Sequence, residues 1–298
     1  MLDAVERKIE QFIAELEDKD TLNLYKKLPA GKRLRARLIL AIAGDSLSVI
    51  KTAAIVEMIH GASLLHDDVI DDANTRRGVA SINAIYGNKT AIMLGDILYS
   101  KAFYELSNID PKLSRIISRA VTLLSIGERQ DVVLSESFNS NEELYKQMIY
   151  NKTAVLIEAS AEAAAYLAGK ELKPYRVYGK NLGIAFQMVD DILDITQDST
   201  TLGKPALADY KEGKTTLPYI YLYHSLPKDE QKVLRGMHKK ELKEKESRWI
   251  AQKMQEYKVI QKAQLEAKEL VKEAIEIMQN LGEVELESIA TKMIERSF

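Results

Sequence analysis

Cysteine is absent from the 298 residues, and proline and glycine are scarce, with 6 and 14 copies. Without cysteine the chain has neither disulfides nor thiolate metal sites, which agrees with a reducing cytoplasm. Few helix-breaking residues, with abundant Ala, Leu, Ile, Glu and Lys, favour an all-α protein. No apolar run approaches the roughly 20 residues that span a bilayer, so we expect a cytoplasmic protein without a transmembrane segment.

The charge balance excludes another large class of function. The 42 basic and 44 acidic residues leave a net charge of -2, so no global positive field is available to bind nucleic acid. A hydrophobic content of 46% permits a sizeable core, and no linker-like stretch interrupts the chain. We therefore expect residues 1–298 to form a single domain.

Two aspartate clusters have the same spacing, i, i+1 and i+4, and both lie in apolar runs that favour a helix. On a helix this spacing directs the carboxylates to one face, where they repel each other unless a cation neutralises them. Mg²⁺ suits such oxygen ligands. One cluster alone could be a solvated acidic face, but two facing each other across a cavity would hold several metal ions. The clusters are Asp67, Asp68 and Asp71, and Asp190, Asp191 and Asp194.

A basic segment follows the break at Pro29 to Gly31. Residues 32–37 contain four cations directly before an apolar helix. The helix dipole disfavours cations at a helix N-terminus and favours an anion there, so this glycine-led start resembles a phosphate or diphosphate site. The alternative is a solvated basic helix start.

Further cations lie near the aspartates or on loops. Arg76 and Arg77 follow the first cluster, where they form internal salt bridges or grip a diphosphate with their forked guanidinium groups. Lys152 interrupts an apolar helical face and either snorkels to solvent or reaches into the site. Lys204 and Lys214 lie on glycine-flanked loops after the second cluster, a setting suited to phosphate capture.

The helix that leads into the first cluster carries small residues and a histidine on the line toward it. His60 lies seven residues before Asp67 and so on the same face, although a lone histidine is commonly structural. Ala62 and Ser63 leave room for a long ligand or allow close helix packing. The residues beneath them are Ile55, Met58 and Ile59.

Apolar periodicity also predicts the helices. We expect one amphipathic helix over residues 3–28 and packing helices without chemistry over residues 228–298. The other predicted helices run from near Val49 to the first cluster and over residues 90–107, 112–134 and 141–169.

These parts suit polyanion chemistry. No Ser-His-Asp or Cys-His arrangement and no nucleotide-type glycine loop is visible. Metal ions bridging a diphosphate would stabilise it as a leaving group. If the organic part is allylic, its departure leaves a carbocation that a dry apolar pocket would shield from water.

From Gly31 to Pro218 the sequence resembles the trans-isoprenyl diphosphate synthases, in particular the long-chain polyprenyl branch with its octaprenyl and heptaprenyl synthases. The resemblance implies an all-α fold, a single large helical bundle around a central cavity, working as a homodimer with transient membrane contact for product release. It implies a prenyltransferase that condenses isopentenyl diphosphate with an allylic prenyl diphosphate, farnesyl or geranylgeranyl. Three Mg²⁺ ions are implied as cofactor, and quinone side chains as the use of the product.

The resemblance also implies roles for single residues. The six clustered aspartates would bind Mg²⁺ and the allylic diphosphate, with Asp67, Asp68, Asp71 and Asp190 taking part in catalysis. Arg76, Lys152 and Lys204 would grip that diphosphate directly, and Lys214 would close the loop of the second motif. The residues implied for isopentenyl diphosphate are Lys32, Arg35, His60 and Arg77.

Thr153 and Gln187 would lie near the developing cation. The sequence departs from the family at Asp131, where the family has Gln three residues after the Glu of its Gly-Glu motif. This departure affects a supporting contact.

Product length is the finer expectation. The first motif lacks the insertion of bacterial short-chain farnesyl synthases, and Ala62 and Ser63 stand where short-chain members carry aromatic residues that block the pocket. We expect a product of about C35 to C40, with about C15 to C20 as the alternative. The floor of the pocket is expected at Ile55, Met58 or Ile59, or at Leu123 and Leu124 on a neighbouring helix.

Three rival functions make different demands. A terpene cyclase mixes Asn, Ser and Glu in its second metal motif and needs no isopentenyl diphosphate site. A metal-dependent phosphohydrolase needs several histidine ligands, whereas this chain has four His in total. A non-catalytic partner subunit would be signalled by lost aspartates, and all six are present.

Overall fold

The computed structural model describes residues 1–29, 31–196 and 207–295, with side chains through residue 292. Apart from one antiparallel hairpin, in which β1 (Thr75–Arg76) pairs with β2 (Val79–Ala80), the regular structure in these ranges is helical. The all-α fold class is confirmed.

The helices of the described ranges come in chain order, with one π-helix at Tyr150–Ala154 between α8 and α9. They are α1 (Leu2–Ala14), α2 (Lys19–Tyr25), α3 (Leu34–Ala43), α4 (Leu47–Ile70), α5 (Ile82–Tyr86), α6 (Asn88–Ser107), α7 (Pro111–Ser135), α8 (Glu142–Ile149), α9 (Val155–Leu167), α10 (Leu172–Thr196), α11 (Ala208–Lys211), α12 (Leu217–Ser225), α13 (Lys228–Met237), α14 (Glu244–Glu256), α15 (Val259–Leu281) and α16 (Val284–Glu295).

The chain groups into two compact units. Unit 1 comprises Met1–Val121 and Leu156–Arg176, and unit 2 comprises Thr122–Val155 and Val177–Phe298. Each aspartate cluster therefore belongs to its own unit, the first cluster to unit 1 and the second to unit 2. The organisation of residues 1–298 as a single domain stays a prediction.

Helix α4 forms the centre of unit 1 and packs against α1, α3 and α6. Its residues are buried on every side of its axis, as expected for a core helix. By length and composition α4 could cross a membrane, with a mean hydropathy of 1.3 over its most apolar window. That window is 61% buried inside the protein, so α4 is accounted for as a core helix.

The single helix predicted over residues 3–28 is wrong. The chain breaks between α1 and α2, where Glu17 has a left-handed φ of 57°. Asp18 then caps α2, because its carboxylate accepts hydrogen bonds from the backbone N–H groups of Asp20 and Thr21, each at 3.3 Å. Of the apolar stripe on which that helix was predicted, Val5, Ile9, Phe12 and Ile13 are buried, whereas Leu16 lies beyond the end of α1 and is 38% exposed.

The predicted helices over residues 90–107 and 112–134 are confirmed as α6 and α7. The helix predicted over residues 141–169 is real but not continuous, since the π-helix interrupts it. The terminal stretch is helical as predicted, in α13 to α16.

Unit 2 has a core unusually rich in tyrosine. Tyr145, Tyr178, Tyr210 and Tyr219 are almost fully buried, and the rings of Tyr210 and Tyr219 stack with their centroids 4.2 Å apart. A buried hydroxyl needs a hydrogen-bond partner. Tyr178 and Tyr210 donate to backbone carbonyls, and Tyr145 donates to a carboxylate of the second cluster. The hydroxyl of Tyr219 is the exception among these four, because it is buried without a hydrogen-bond partner among the described residues.

Candidate active site

The first aspartate cluster lies at the C-terminal end of α4. Asp67 and Asp68 belong to the last turn, and Asp71 is the residue that caps it. Carboxylates at a helix C-terminus oppose the helix dipole, so this position adds to their mutual repulsion. The cluster is therefore poised to accept a cation.

Arg76 supplies one such cation within unit 1. Its Nε and one of its terminal nitrogens lie 2.8 and 2.7 Å from the same oxygen, Oδ1 of the buried Asp68. Arg76 stands in strand β1 of the hairpin that follows α4. Because both contacts go to Oδ1, the second oxygen of Asp68 lies outside this pair. The internal salt bridge anticipated from the sequence is present.

The four cations of the basic segment at the start of α3 differ in their contacts with the rest of the protein. Arg33 adopts a left-handed φ of 50° and turns to Glu6 at 2.7 Å and to the buried Glu57 at 3.3 Å. The Nε of Arg37 donates to the backbone carbonyl of Lys32. The residue Lys32 is exposed. Arg33 and Arg37 are thus engaged within the protein, and the binding of a ligand by Arg35 and Lys32 stays a prediction.

Arg35 carries the clearest anion signal in unit 1. Its Nε is buried and has no hydrogen-bond partner, and burial lowers the pKa of its guanidinium to about 10. The positive charge of Arg77 lowers this pKa further, whereas Glu57 opposes the shift. An unpaired buried N–H on a cation is costly, and a bound anion would satisfy it.

His60 belongs to the same basic environment. Burial lowers the pKa of its imidazole well below 6.5, and the charges of Arg35, Arg77, Arg76 and Arg33 act in the same direction. His60 is therefore neutral at physiological pH and can donate one hydrogen bond without contributing charge.

Arg77 closes over the start of the basic segment. It donates to the carbonyl of Pro29 at 3.1 Å, and a Cβ at Gly31 would lie only 2.9 Å from its guanidinium. A side chain at Gly31 would therefore displace the guanidinium of Arg77 from this position. Arg77 itself has a left-handed φ of 53°.

The residues expected to set product length are buried in α4. Ala62, Ile55, Met58 and Ile59 have no exposed surface, and the Oγ of Ser63 donates to the carbonyl of His60 at 2.9 Å. In unit 2, Leu124 is buried and Leu123 is half-buried. Their role in product length stays a prediction.

The second cluster lies near the C-terminal end of α10. Asp191 and Asp194 are buried and Asp190 is exposed. Burial raises the pKa of the Asp191 carboxyl well above its ordinary value, and the neighbouring Asp209 and Asp190 raise it further. This site therefore disfavours an uncompensated negative charge.

Asp191 is the end point of a chain of side-chain hydrogen bonds. Its Oδ1 accepts from Nε2 of Gln187 at 2.8 Å, and its Oδ2 accepts from the hydroxyl of Tyr145 at 2.5 Å. The Oε1 of Gln187 accepts from the hydroxyl of Thr153 at 2.7 Å. The structure thus joins Thr153 and Gln187, which the sequence could only assign separately, to the second cluster.

The π-helix positions Lys152 and Thr153. A Cβ at Gly127 would lie 2.2 Å from the backbone nitrogen of Lys152, and one at Gly183 would lie 2.5 Å from the Cα of Ala154. Helices α7 and α10 therefore approach this turn as closely as glycine permits. Single-turn π-helices are frequent at functional sites.

Lys152 does not snorkel to solvent. Its Nζ lies 2.6 Å from Oδ2 of Asp131 and 3.1 Å from Oε2 of the buried Glu128, both on α7. Asp131, the residue that departs from the family pattern, is thus a direct charge partner of Lys152.

The segment after the second cluster folds back onto it. The backbone N–H of Asp209 donates to Oδ2 of Asp194 at 3.1 Å. The backbone N–H of Lys214 donates to the carbonyl of Asp209 at 2.7 Å, and its Nζ lies 2.9 Å from Glu212. Lys204 lies in residues 197–206, outside the described residues.

The donor set fits Mg²⁺ in kind, since the clusters supply only hard carboxylate oxygens. His66, beside the first cluster, is directed to Asp96 on α6 at 3.4 Å. Across residues 1–29, 31–196 and 207–292, no three His, Asp or Glu side chains converge into a ready metal site. Asp68 and Asp191 instead have the protein partners described above, so the aspartates would have to rearrange around an ion.

Sequence reasoning missed two residues near the candidate site. Tyr145 lies seven residues before Lys152, a spacing that places both on one helix face, but its hydroxyl is hidden in a position that fits core packing. Glu57 holds Arg33 and the backbone N–H of Ala36, and so fixes the start of α3.

The chain is similar to several known proteins. The profile of a family described as polyprenyl synthetase matches residues 21–258. Octaprenyl diphosphate synthase of Escherichia coli (strain K12) is 36% identical over 234 residues, which cover 76% of this chain and 72% of that protein.

Solved structures show the same fold. The octaprenyl pyrophosphate synthase from Helicobacter pylori superposes with a TM-score of 0.93 at 42% identity, covering 98% of each chain. The geranylgeranyl pyrophosphate synthetase from Pyrococcus horikoshii Ot3 superposes with a TM-score of 0.89 at 29% identity, covering 99% of this chain and 95% of that one.

Proposed function

This chain belongs to the polyprenyl synthetase family and is a trans-polyprenyl diphosphate synthase, and we propose that it extends an allylic diphosphate with isopentenyl diphosphate to an all-trans product of about C35 to C40. Farnesyl or geranylgeranyl diphosphate is the proposed primer, and a quinone side chain the use of the product. The observation that carries the substrate assignment is Arg35, whose buried Nε lacks a hydrogen-bond partner.

We assign the isopentenyl diphosphate to the basic face of unit 1. Arg35 would supply the buried donor, Arg77 and Lys32 further positive charge, and the neutral His60 a hydrogen bond. Burial lowers the pKa of Arg35 and of Arg77, and the positive charges of neighbouring arginines lower both further, so a bound diphosphate would relieve an unfavourable concentration of positive charge. This is a stronger reason for an anion than the count of basic residues.

The six clustered aspartates are proposed to hold Mg²⁺, three ions with substrate bound, and Arg76, Lys152, Lys204 and Lys214 to contact the allylic diphosphate. When bound, Mg²⁺ supplies Lewis-acid stabilisation of the departing diphosphate. Asp68 would exchange part of its contact with Arg76 for the ion, which frees donors of Arg76 for phosphate oxygens. Lys152 would likewise divide its donors between Asp131 and the substrate.

Carbon–oxygen cleavage leaves an allylic cation, and the double bond of isopentenyl diphosphate attacks it to form the new carbon–carbon bond. The hydroxyl of Thr153 donates a hydrogen bond to Oε1 of Gln187, so the lone pairs of the Thr153 oxygen are available to face positive charge. The proton lost in the last step passes to the departed diphosphate, so no side-chain base is required.

The product length rests on relatives and on α4. Octaprenyl synthases are among the most similar proteins, and a geranylgeranyl synthetase shares the fold. A shorter product of about C15 to C20 is therefore the alternative. Small side chains at Ala62 and Ser63 favour the longer one.

A homodimer is also proposed, formed through an apolar surface of unit 1. Four large apolar residues on α5 and α6 are exposed, Ile85, Tyr86, Ile92 and Met93, by 55, 44, 40 and 57%. Ile92→Glu with Met93→Glu should shift the protein from dimer to monomer in analytical ultracentrifugation. Leu47→Glu, at an apolar residue of the same unit that is 62% exposed, is the control and should stay dimeric.

The first experiment is product analysis by mass spectrometry. Purified full-length protein is incubated with farnesyl diphosphate, isopentenyl diphosphate and Mg²⁺, with and without a chelator. A metal-dependent series that ends in one long polyprenyl diphosphate supports the proposal. A cyclic hydrocarbon with free diphosphate, or no condensation, contradicts it.

A further inference from the structure

We propose that Tyr145 is a positioning residue of the reaction, which acts by fixing Asp191 of the second cluster through its buried hydroxyl. Tyr145 has no place among the residues expected from the sequence. The proposal rests on the function proposed above.

The Tyr145 hydroxyl differs from the other buried tyrosine hydroxyls of unit 2 because it contacts a residue of the candidate site. Tyr145 on α8 is 1% exposed, and its hydroxyl lies 2.5 Å from Oδ2 of Asp191 on α10. Among the other buried tyrosines that the structure describes in unit 2, Tyr178 and Tyr210 donate to the backbone carbonyls of Leu286 and Leu234. Tyr221 donates to the carboxylates of Glu142 and Glu266, which belong to neither aspartate cluster. Tyr145 alone among these four contacts a side chain of an aspartate cluster.

The hydrogen bonds have a defined direction. The Tyr145 hydroxyl and the Gln187 amide both donate to Asp191, one to each carboxylate oxygen. Because the Gln187 nitrogen is committed to Asp191, its oxygen faces Thr153 and accepts from that hydroxyl. The orientation of Asp191 thus fixes the orientation of the Gln187 amide. The amide in turn fixes the direction in which the Thr153 hydroxyl donates its hydrogen bond.

This arrangement has a functional consequence beyond packing. Side chains that orient the ligands of a metal ion are worth about 10- to 100-fold in metal affinity or activity. Without the Tyr145 hydroxyl the Asp191 carboxylate can rotate, and the chain to Thr153 loses its fixed end. Loss of this hydroxyl should therefore change the Mg²⁺ concentration at half-maximal rate and kcat together. It should leave KM for isopentenyl diphosphate, whose proposed site is on unit 1, unchanged.

The test compares Tyr145→Phe with Tyr178→Phe in the full-length protein. Both substitutions delete one buried hydroxyl in unit 2, so they control for the cost of an unsatisfied partner. The measurements are the Mg²⁺ concentration at half-maximal rate, kcat, KM for each substrate, and Mn²⁺ binding followed by electron paramagnetic resonance. Circular dichroism and thermal unfolding verify that both variants fold.

For Tyr145→Phe we expect the Mg²⁺ midpoint to rise and kcat to fall, each about 10-fold or more, with KM for isopentenyl diphosphate unchanged within about 2-fold. Tyr178→Phe should keep both values. In the Asp191→Asn background Tyr145→Phe should add little, because it acts through Asp191. Equal Mg²⁺ midpoints and Mn²⁺ affinities for the two tyrosine variants, or full additivity with Asp191→Asn, would overturn the positioning role.

The same measurements separate the two proposals. Wild-type elongation with no selective effect of Tyr145→Phe rejects the positioning role and leaves the proposed function standing. Wild-type protein that binds Mn²⁺ tighter than Tyr145→Phe but makes no polyprenyl product rejects the proposed function and supports the positioning role. Wild-type protein that neither elongates nor binds Mn²⁺ rejects both.

Discussion

The ammonium group of Lys152 lies 2.6 Å from the carboxylate of Asp131. Asp131 occupies the position at which the family pattern has a glutamine. A carboxylate at this position competes with a phosphate for the donors of Lys152. We expect Asp131→Gln to lower KM for the allylic substrate by about 3- to 10-fold, since one charge-assisted contact of about 1 kcal/mol or more is released. Steady-state kinetics with varied primer measure this effect. Glu136→Gln, at an exposed position beyond the end of α7, is the control, and a raised KM in Asp131→Gln would contradict the competition.

Removal of a clustered carboxylate should abolish turnover. Asp68→Asn keeps the shape of the side chain but loses the charge, so it should lower kcat roughly 1000-fold or more if several kcal/mol of metal-derived stabilisation are lost. Helical content should be unchanged in circular dichroism. Asp229→Asn on α13, where the carboxylate is 97% exposed, should keep wild-type activity. Normal turnover in Asp68→Asn would remove the metal role of the first cluster.

Gly127 should be more sensitive than another helical glycine. A Cβ there would lie 2.2 Å from the backbone of Lys152, so Gly127→Ala must displace the π-helix. We expect a loss of about 1 to 3 kcal/mol in the free energy of unfolding and about a 100-fold loss of kcat. Gly236→Ala is the matched control because nothing lies within 4 Å of its Cβ. That variant should be as stable as wild type or more stable by about 0.5 to 1 kcal/mol.

The variant Ala62→Phe tests whether Ala62 lines the product tunnel or packs against other residues of the core. If Ala62 lines the tunnel, the aromatic ring shortens the product seen by mass spectrometry and leaves the midpoint of thermal unfolding nearly unchanged. If it packs against protein, overpacking costs about 1 to 3 kcal/mol and the product keeps its length. We expect the first outcome. Ala53→Phe is the control, since Ala53 is equally buried on the opposite side of α4 and should lose stability without any change of product.

We expect the low pKa of His60 to make the folded protein less stable in acid. The pKa of His60 lies well below 6.5 in the folded protein, whereas the unfolded chain takes up this proton near that pH. Below about pH 6.5 the unfolded state therefore binds more protons, and the free energy of unfolding falls by up to about 1.4 kcal/mol per pH unit. Urea unfolding of wild type and His60→Asn between about pH 5 and pH 7 should show a weaker pH dependence in the variant. His224→Asn, at an exposed histidine, should retain the wild-type dependence.

Much of the fold followed from local patterns along the chain. The all-α class, the helices α6 and α7 and the helical end of the chain were predicted because apolar period and helix propensity are local properties. The break between α1 and α2 was missed, because it depends on the left-handed backbone at Glu17 and on the hydrogen bonds by which Asp18 begins α2, which an apolar period does not show. The π-helix was missed for a different reason. It depends on Gly127 and Gly183, which approach it from two other helices.

The sequence by itself determined the chemistry on offer: two groups of carboxylates, a basic glycine-led helix start and no nucleophile or thiolate. Which of these groups serve the fold and which are left for substrates was decided only by tertiary contacts. Arg33 and Arg35 look alike in the sequence, yet Arg33 is held by Glu6 and Glu57 while the Nε of Arg35 has no partner. Tyr145 reads as a core residue until its hydroxyl is found on Asp191, 46 positions along the chain. Residue type and spacing are local information, whereas hydrogen-bond partners and burial depend on segments far apart in sequence that only folding brings together.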